Sequence, residues 1–393
     1  GSSGVYTATL TAGIIVGTSS ITASVNSTAL GVTPATVTLN GDSGNLSTTN
    51  STLVAAPVNI EANGSDTSVV TLTLRDNNNN PVTGQTVNFA GTLGTLGAVT
   101  EGSSGVYTAT LTAGIIVGTS SITASVNSSA LGVTPATVTL NGDSGNLSTT
   151  NSTLVAAPVN IEANGSDTSV VTLTLRDSNN NPVTGQTVAF TSTLGTLGNV
   201  TEQASGLYTA TLTAGAVSGV ASLSVSVGGS ALGVTPATVT LNGDSGNLST
   251  TNSTLVAAPV NIEANGSDTS VVTLTLRDSN NNPVTGQTVA FTSTLGTLGN
   301  VTEQASGLYT ATLTAGTVAG VASLSVSVGG SALGVTPATV TLNGDSGNLS
   351  TTNSMLVAAP VNIEANGSDT SVVTLTLRDS NNNPVTGQTV AFT

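Results

Sequence analysis

The chain has 393 residues, with four arginines against 19 acidic residues and no lysine, histidine or cysteine, so its net charge is −15. Without cysteine it has no disulfide and no thiolate metal ligand, and without lysine it has no isopeptide crosslink or Schiff base. An acidic surface repels nucleic acid and anionic lipid, and aromatic residues, at 2%, are too few to stack bases or sugars. No apolar run reaches the roughly 18 residues of a membrane-spanning helix, so we expect no membrane insertion within this segment.

A unit of 101 residues recurs along the whole chain, because the sequence YTATLTAG begins at Tyr6, Tyr107, Tyr208 and Tyr309. An array of copies gains length and multiplicity, whereas an enzyme needs a single set of converging residues. The chain begins and ends inside a unit, so we expect it to be a portion of a longer polypeptide.

The strands of the first complete unit are predicted from alternating apolar and polar residues. A turn is predicted at NNNNPV (77–82), because Asn tolerates positive φ and Pro fixes its own. In chain order, the predicted strands with their inward residues are VNIEA (58–62) with Val58 and Ile60, TSVVTLTLRD (67–76) with Val70, Leu72 and Leu74, GQTVNF (84–89) with Val87 and Phe89, VYTATLT (106–112) with Tyr107, Ala109 and Leu111, ITASV (122–126) with Ile122, Ala124 and Val126, and ATVTL (136–140) with Ala136, Val138 and Leu140.

Six or seven short strands per unit are typical of a two-sheet β-sandwich of the immunoglobulin type. The abundance of Thr, Ser, Val, Asn and Gly also favours strands and turns over helices. We therefore predict an all-β protein, built from tandem immunoglobulin-like β-sandwich domains in an elongated array.

Domain boundaries are predicted within NGDSGNLSTTN (40–50) and its copies, which form the least apolar part of each unit. The resulting domains are the C-terminal half of a repeat at 1–43, whole repeats at 44–144, 145–245 and 246–346, and the N-terminal half of a repeat at 347–393. Each half would leave an apolar face and strand edges open. We expect neighbouring repeats of the same or an adjoining chain to complete them.

The repeats resemble the group 1 bacterial immunoglobulin-like domain of the invasin and intimin surface proteins. The matching elements are Ala62, Asn63, Gly64, Asp66 and Thr67, then Leu74, Asp76, Asn80, Pro81, Val82 and Gly84, then Val87 and Phe89, followed by G-x-Y-T-A-T-L-T. The resemblance covers essentially every repeat. It implies an extracellular location at the cell surface, as a rod of tandem domains that projects from an outer-membrane anchor and carries receptor binding in a distal tip.

One segment imitates a catalytic motif. GDSGN (41–45) is similar to the nucleophile segment of trypsin-like proteases, with Ser43 as the attacking residue. A serine nucleophile needs a base to take its proton, and the chain has no histidine. We therefore interpret the segment as a polar turn between domains and predict that the chain is not an enzyme.

Two acidic patterns bear on calcium binding. The run at 76–80 resembles a calcium loop, but Pro81 and Val87 stand where an EF-hand loop needs Gly and Glu, so a turn is the better interpretation. A less regular calcium site at the joins between domains is an alternative, and bound calcium would stiffen the hinge there. Its candidate ligands are Asp42, Asp143, Asp244 and Asp345, with nearby Asn carbonyls and acids such as Glu101. No other cofactor is expected.

Two further side chains have ordinary interpretations. Arg75 lies beside Asp76 on the polar face of a predicted strand, where a solvated ion pair is worth under about 1 kcal/mol. Tyr107 fits a core tyrosine or a tyrosine corner, in which the hydroxyl group bonds back to the backbone.

Two classes of function are consistent with these observations. In the first, the repeats are the structural stalk of a bacterial cell-surface adhesin and project a binding tip from the envelope. In the second, they assemble into an extracellular filament or sheath, through lateral contacts or by completion of split domains between chains.

Overall fold

A computed structural model describes residues 3–393. The first complete repeat folds into ten strands, of which seven have three or more residues and three have two. They are β1 (Thr52–Ala56), β2 (Asn59–Glu61), β3 (Thr67–Thr73), β4 (Val87–Gly91), β5 (Thr95–Leu96), β6 (Thr100–Glu101), β7 (Val106–Thr112), β8 (Gly118–Val126), β9 (Ser129–Ala130) and β10 (Ala136–Asn141).

The strands form two five-stranded sheets. One has the order β6-β7-β3-β1 with β5 also paired to β7, and the other has the order β9-β8-β10-β2 with β4 also paired to β8. All pairs in this repeat are antiparallel except β10 with β2. The chain passes from one sheet to the other between β1 and β2. This arrangement confirms the predicted immunoglobulin-like sandwich.

The second and third complete repeats have the same ten strands in the same order. Those of the second are Thr153–Ala157, Asn160–Glu162, Thr168–Thr174, Val188–Ser192, Thr196–Leu197, Thr201–Gln203, Leu207–Thr213, Gly219–Val227, Ser230–Ala231 and Ala237–Asn242, with a single turn of 3-10 helix at Ala204–Gly206. Those of the third are Thr254–Ala258, Asn261–Glu263, Thr269–Thr275, Val289–Ser293, Thr297–Leu298, Thr302–Gln304, Leu308–Thr314, Gly320–Val328, Ser331–Ala332 and Ala338–Asn343, with a 3-10 turn at Ala305–Gly307.

The core of each sandwich is built from the residues that the alternation placed inward. Val70, Leu72 and Leu74 are fully buried, and so is nearly all of Tyr107. Val58 was wrongly predicted to face inward, since its side chain is 56% exposed. It precedes β2 and lies in the segment that crosses between the sheets, where its carbonyl accepts the N–H of Thr139, so period-two alternation does not yet apply to it.

The two terminal parts of the chain are half-sandwiches. The first contains the strands Gly17–Ile21, Ser24–Val25, Thr28–Ala29 and Ala35–Leu39, and the last contains Met355–Ala359 and Val372–Thr376. Tyr6 is 88% exposed, whereas its equivalent Tyr107 is 1% exposed. The apolar faces that a whole sandwich buries are therefore open at both ends.

The repeats are strung out and do not merge into one globule. Each of the three buried apolar clusters draws its members from a single repeat. The chain exposes 21147 Å² of surface, whereas a compact protein of 38.0 kDa would expose about 14,000 Å². The excess includes the open terminal faces and agrees with an elongated array.

Candidate functional site: the junction between repeats

Consecutive repeats meet where β10 ends, and the segment from Gly142 to Ser144 turns into the next repeat. A side chain at Gly142 would collide with the carbonyl oxygen of Pro182, which belongs to that next repeat. Gly41, Gly243 and Gly344 have the same relationship to Pro81, Pro283 and Pro384. Glycine is therefore required because two backbones approach closely here.

A buried carboxylate organises the loop that faces the preceding repeat. Asp177 is fully buried, and its Oδ1 accepts the backbone N–H groups of Asn179 at 2.9 Å and Asn181 at 2.8 Å. Its Oδ2 accepts the N–H of Asp143 at 3.0 Å and Nδ2 of Asn181 at 2.9 Å. The Asn-rich turn predicted from sequence is thus held by hydrogen bonds to one acidic side chain.

These hydrogen bonds also set the ionisation of Asp177. Burial raises the pKa of this carboxyl group, but the bonds from the Asn181 side chain and from the N–H groups of Asp143, Asn181 and Asn179 together hold the pKa below its ordinary value. The carboxylate is therefore charged at neutral pH, and charge-assisted bonds of this kind are the stronger ones.

The loop around Asp177 reaches across the junction through Asn181. Nδ2 of Asn181 donates to the carbonyl oxygen of Ile115 at 2.9 Å, and Ile115 lies in the β7–β8 loop of the preceding repeat. The same amide group bonds Asp177, so its position is fixed from within its own repeat.

A second contact crosses each of the three junctions that follow a complete repeat, here called complete junctions. Its acceptor side chain comes from the preceding repeat. Glu61, the last residue of β2, accepts the backbone N–H of Ser144 at 3.2 Å and also the Ser144 hydroxyl group. Glu162 and Glu263 bond Ser245 and Ser346 in the same way. Asp66 supports Glu61, because Oδ2 of Asp66 accepts the Glu61 N–H at 3.0 Å.

Charged side chains are concentrated at these junctions. In the first complete repeat only β2 and β6 carry one, namely Glu61 and Glu101. A cleft of about 350 Å³ at the first complete junction is lined by Asn59, Ile60, Glu61, Asp66, Asn141, Gly142, Thr184, Gly185 and Gln186. Glu202 is close by, because its Oε1 accepts the N–H of Gly185 at 2.7 Å. The sandwich walls between junctions are therefore almost uncharged.

The calcium candidates Asp42, Asp143, Asp244 and Asp345 lie at the junctions, where their carboxylates close a local turn. Oδ1 of Asp143 accepts the N–H of Gly145 at 3.0 Å, and Oδ1 of Asp42 accepts that of Gly44 at 2.9 Å. Residues 3–393 bring together no group of three or more His, Cys, Asp or Glu side chains that could hold a metal ion. Calcium binding at the joins stays a hypothesis.

The tyrosine of each repeat connects the core to the junction. The Tyr107 hydroxyl group accepts the N–H of Gln85 at 3.1 Å and lies 3.2 Å from both the Val82 carbonyl oxygen and Oε1 of Glu101. Its ring is buried in the core. Tyr107 is thus a core tyrosine whose hydroxyl group fastens the β3–β4 loop, over a longer span of sequence than the few residues of a tyrosine corner.

Two side chains make contacts that the sequence did not predict. The serine of the protease-like segment, Ser144, lies in the segment that turns into the next repeat and bonds Glu61 across the junction. The guanidinium group of Arg176 donates to the carbonyl oxygen of Asn180 at 2.8 Å. This acceptor is a neutral oxygen, whereas an ion pair with the neighbouring aspartate was expected. The only available signal for the junction was that Glu61, Ser144 and Asn181 recur unchanged in the other repeats.

Two sheets packed face to face, with the chain crossing between them after the first strand, define a tandem array of immunoglobulin-like domains. A family model described as "Invasin, domain 3" matches residues 47–143, 148–244, 249–345 and 350–393. The chain therefore belongs to this invasin domain family, which confirms the resemblance seen in the sequence.

Two of the similar proteins are adhesins by name. Over 225 residues the chain is 33% identical to the inverse autotransporter adhesin YeeJ of Escherichia coli (strain K12). The aligned part covers 55% of this chain and 9% of the length of that relative. The Escherichia coli adhesin FdeC has a similar structure, with TM-score 0.59, 28% identity and coverage of 77% of this chain and 99% of that one. InvD of Yersinia pseudotuberculosis gives TM-score 0.51 and 46% identity over 61% of this chain and 73% of that one.

Proposed function

We propose that the chain is part of the stalk of a bacterial cell-surface adhesin, located outside the cell, where its repeats hold a binding tip away from the envelope. The observation that carries this proposal is the stringing of closed, near-identical sandwiches with separate cores along one chain. The adhesin relatives support it. In residues 3–393 the structure contains no helix long and apolar enough to cross a membrane.

The surface also suits a spacer. The sandwich walls present mainly Thr, Ser and Val, and the acidic residues are occupied with loop and junction hydrogen bonds. We further propose that the chain has no catalytic activity of its own. The serine hydroxyl groups of the protease-like segments are bonded to glutamate in the three complete junctions, and no histidine is available as a base.

Surface display of the array tests the stalk directly. The chain would be fused between an inverse autotransporter anchor and an epitope tag, in versions with one, two and three complete repeats. Immunogold microscopy should place the tag further from the outer membrane by an equal step for each repeat, roughly 40 Å, because a strand of about 9 residues spans about 30 Å and the connection between domains adds to this length. Control cells would carry flexible Gly/Ser linkers of equal residue number, for which the tag height should spread over a wider range and should grow only as about the square root of the linker length. Equal tag heights for all three versions would contradict the stalk.

One observation favours lateral association between copies as a second candidate. Val155 and Val170 lie on the outer face of one sheet and are 52% and 47% exposed, and the other complete repeats present the equivalent valines. Repetition would add up weak contacts between two rods aligned side by side. Bundles of displayed rods, lost when both valines are changed to Thr in each repeat, would support this candidate over an isolated stalk.

A further inference from the structure

The junctions should be mobile if apolar packing alone decided their stiffness. Domains within one chain move relative to each other by default unless a large apolar interface joins them. Within residues 3–393 no buried apolar cluster spans two repeats, and Ile115 and Ile116 at the first complete junction are more than half exposed. Any fixed orientation between repeats has to come from polar contacts.

Such a contact recurs at all four junctions with the same geometry. Nδ2 of an asparagine donates at 2.9 Å to a carbonyl oxygen of the preceding repeat in the pairs Asn80 with Ile14, Asn181 with Ile115, Asn282 with Ala216, and Asn383 with Thr317. At three junctions Oδ1 of the same asparagine also accepts a backbone N–H of that loop, from Val16, Ser218 and Ala319. The amide group therefore contacts only backbone atoms across the junction.

The loop that receives this contact is one place where the repeats differ. It reads IIVG at 14–17 and 115–118, AVSG at 216–219 and TVAG at 317–320. The distance of 2.9 Å is the same for Ile115, Ala216 and Thr317 because the side chain of the receiving residue takes no part. The second contact, from Glu61 to Ser144, does use side chains, but both residues are the same at every complete junction.

We propose that the asparagine of each repeat, held by its buried aspartate, is a lock that fixes the repeat on whichever repeat precedes it, independently of the sequence of the receiving loop. The surface it binds is the backbone of the β7–β8 loop, and its partner is any other repeat of this array. The lock goes beyond a stalk assignment, since it concerns how the repeats are joined and would operate in a filament as well.

The lock and the glutamate contact together restrain the junction at two places. Asn181 bonds the β7–β8 loop, whereas Glu61 lies at the end of β2, and the two interactions run in opposite directions along the chain. Two contacts on different loops oppose both bending and twisting, whereas one contact alone would leave a pivot. A junction without either contact would lose both of these restraints.

Distances between spin labels on the full chain measure this orientation. Thr137→Cys and Thr238→Cys introduce labelling sites at equivalent exposed positions of the first and second complete repeats, in a chain with no cysteine of its own. Double electron–electron resonance should show one narrow distance distribution. Asn181→Ala should broaden it about twofold or more, as expected when a domain interface loses its fixed orientation. An unchanged width in this variant would overturn the proposal.

A matched control separates the lock from the general integrity of the loop. Asn179 lies in the same loop and is exposed, and only its backbone N–H bonds Asp177. Asn179→Ala should therefore keep the narrow distribution. Equal broadening by Asn179→Ala and Asn181→Ala would assign the effect to loop disturbance and overturn the lock.

Asn181 also bonds Asp177, so its substitution could disturb its own repeat. A second variant avoids this by inserting two glycines after Ile115, which displaces the receiving carbonyl group and leaves the Asp177 loop intact. Broadening is expected here as well, with an unchanged thermal unfolding midpoint of the array. A narrow distribution in this variant would refute the role of the Ile115 carbonyl group.

Independence from sequence is tested by exchanging the loop. Changing Ile115, Ile116 and Val117 to the Ala, Val and Ser of the next repeat should leave both the mean distance and the width unaltered. A shifted mean distance between the labels would show that the lock depends on the side chains of the receiving loop. A broad distribution in the unsubstituted chain would overturn the lock altogether, whereas the stalk fails by a separate result, namely a tag height that does not increase with the number of repeats.

Discussion

The hydroxyl group of Tyr208 accepts a hydrogen bond from the backbone N–H of Gln186 at 3.1 Å, although the two residues are 22 positions apart. The same hydroxyl group lies 3.2 Å from the Val183 carbonyl oxygen and 3.2 Å from Oε1 of Glu202, which share its single proton. The ring is in the core and the loop that contains Gln186 is at the junction. One side chain therefore ties the junction end of each repeat to its packed interior.

Removal of this hydroxyl group should destabilise the repeat without a cavity. Changing Tyr107, Tyr208 and Tyr309 to Phe leaves the backbone N–H of Gln186, and its equivalent in the other repeats, without an acceptor. We expect a loss of about 1–2 kcal/mol of unfolding free energy per repeat. Denaturant unfolding measures it. Thr211→Val, on the exposed outer face, is the control and should change the midpoint little. Equal stability of the Phe variant and the original chain would contradict the role of the hydroxyl group.

The same tyrosine predicts the alkaline limit of stability. Burial raises the pKa of Tyr208, the Gln186 bond opposes this, and the nearby Glu202 carboxylate raises the pKa further. A raised pKa in the folded state means that the stabilisation is complete below the unfolded tyrosine pKa of about 10 and is lost as pH rises through the folded value. Unfolding free energy should therefore decline above about pH 10, and the Phe variant should lack this part of the decline.

The acid limit depends on the aspartates. Burial raises the pKa of Asp177, but the bonds from Asn181 and from backbone N–H groups together lower the pKa below its ordinary value. The pKa of Asp167 is lowered chiefly by the bond from the side chain of Asn164. Such groups stabilise above their unfolded pKa of about 3.9, and this contribution is lost as pH falls through the lower folded value. No His, Cys or Lys side chain titrates in between. Thermal midpoints should be flat from about pH 5.5 to 9 and should fall below about pH 4.

The variant Asp177→Asn tests the source of the acid sensitivity. The amide side chain has one oxygen in place of two, so it cannot accept all four hydrogen bonds of the carboxylate. We expect lower stability at neutral pH and a shallower dependence on pH below about 4. An acid dependence as steep as that of the original chain would assign the effect to other carboxylates.

Packing in the core is tested by Phe190→Ala. The Phe190 side chain is 9% exposed and belongs to the apolar cluster of its repeat. Its truncation should cost about 3–5 kcal/mol, through lost burial and the cavity left behind. In calorimetry one repeat should unfold at a lower temperature than the rest, because the cores are separate. Val155→Ala, at a half-exposed position, should leave a single transition.

Local alternation predicted the strands well because a half-buried strand places every second side chain in the core. It placed Leu72, Leu111 and Val138 correctly, and all three are fully buried. It missed short strands such as Thr95–Leu96, since two residues cannot show a period. Alternation could not predict the bond between Glu61 and Ser144, because it joins residues 83 positions apart across a junction. Long-range polar contacts of this kind depend on the packing of whole domains.

The open terminal halves predict how the chain behaves in solution. Tyr6 and Leu356 are exposed, whereas their equivalents in complete repeats are buried, so the 393-residue chain presents unpaired apolar faces at both ends. A chain trimmed to 41–343 keeps three closed sandwiches, together with Gly41 and the Asp42 N–H that bonds Asp76.

We expect the trimmed chain to be monomeric and the full chain to associate through its ends, as analytical ultracentrifugation over a range of concentrations would show. The physical reason is that two complementary half-sandwiches can complete each other only when both are present. Adding calcium to the trimmed chain tests the remaining possibility, which is that cations bridge the acidic junctions of neighbouring rods. Fibres formed by the trimmed chain without calcium would contradict the stalk and favour a filament built through the sandwich walls.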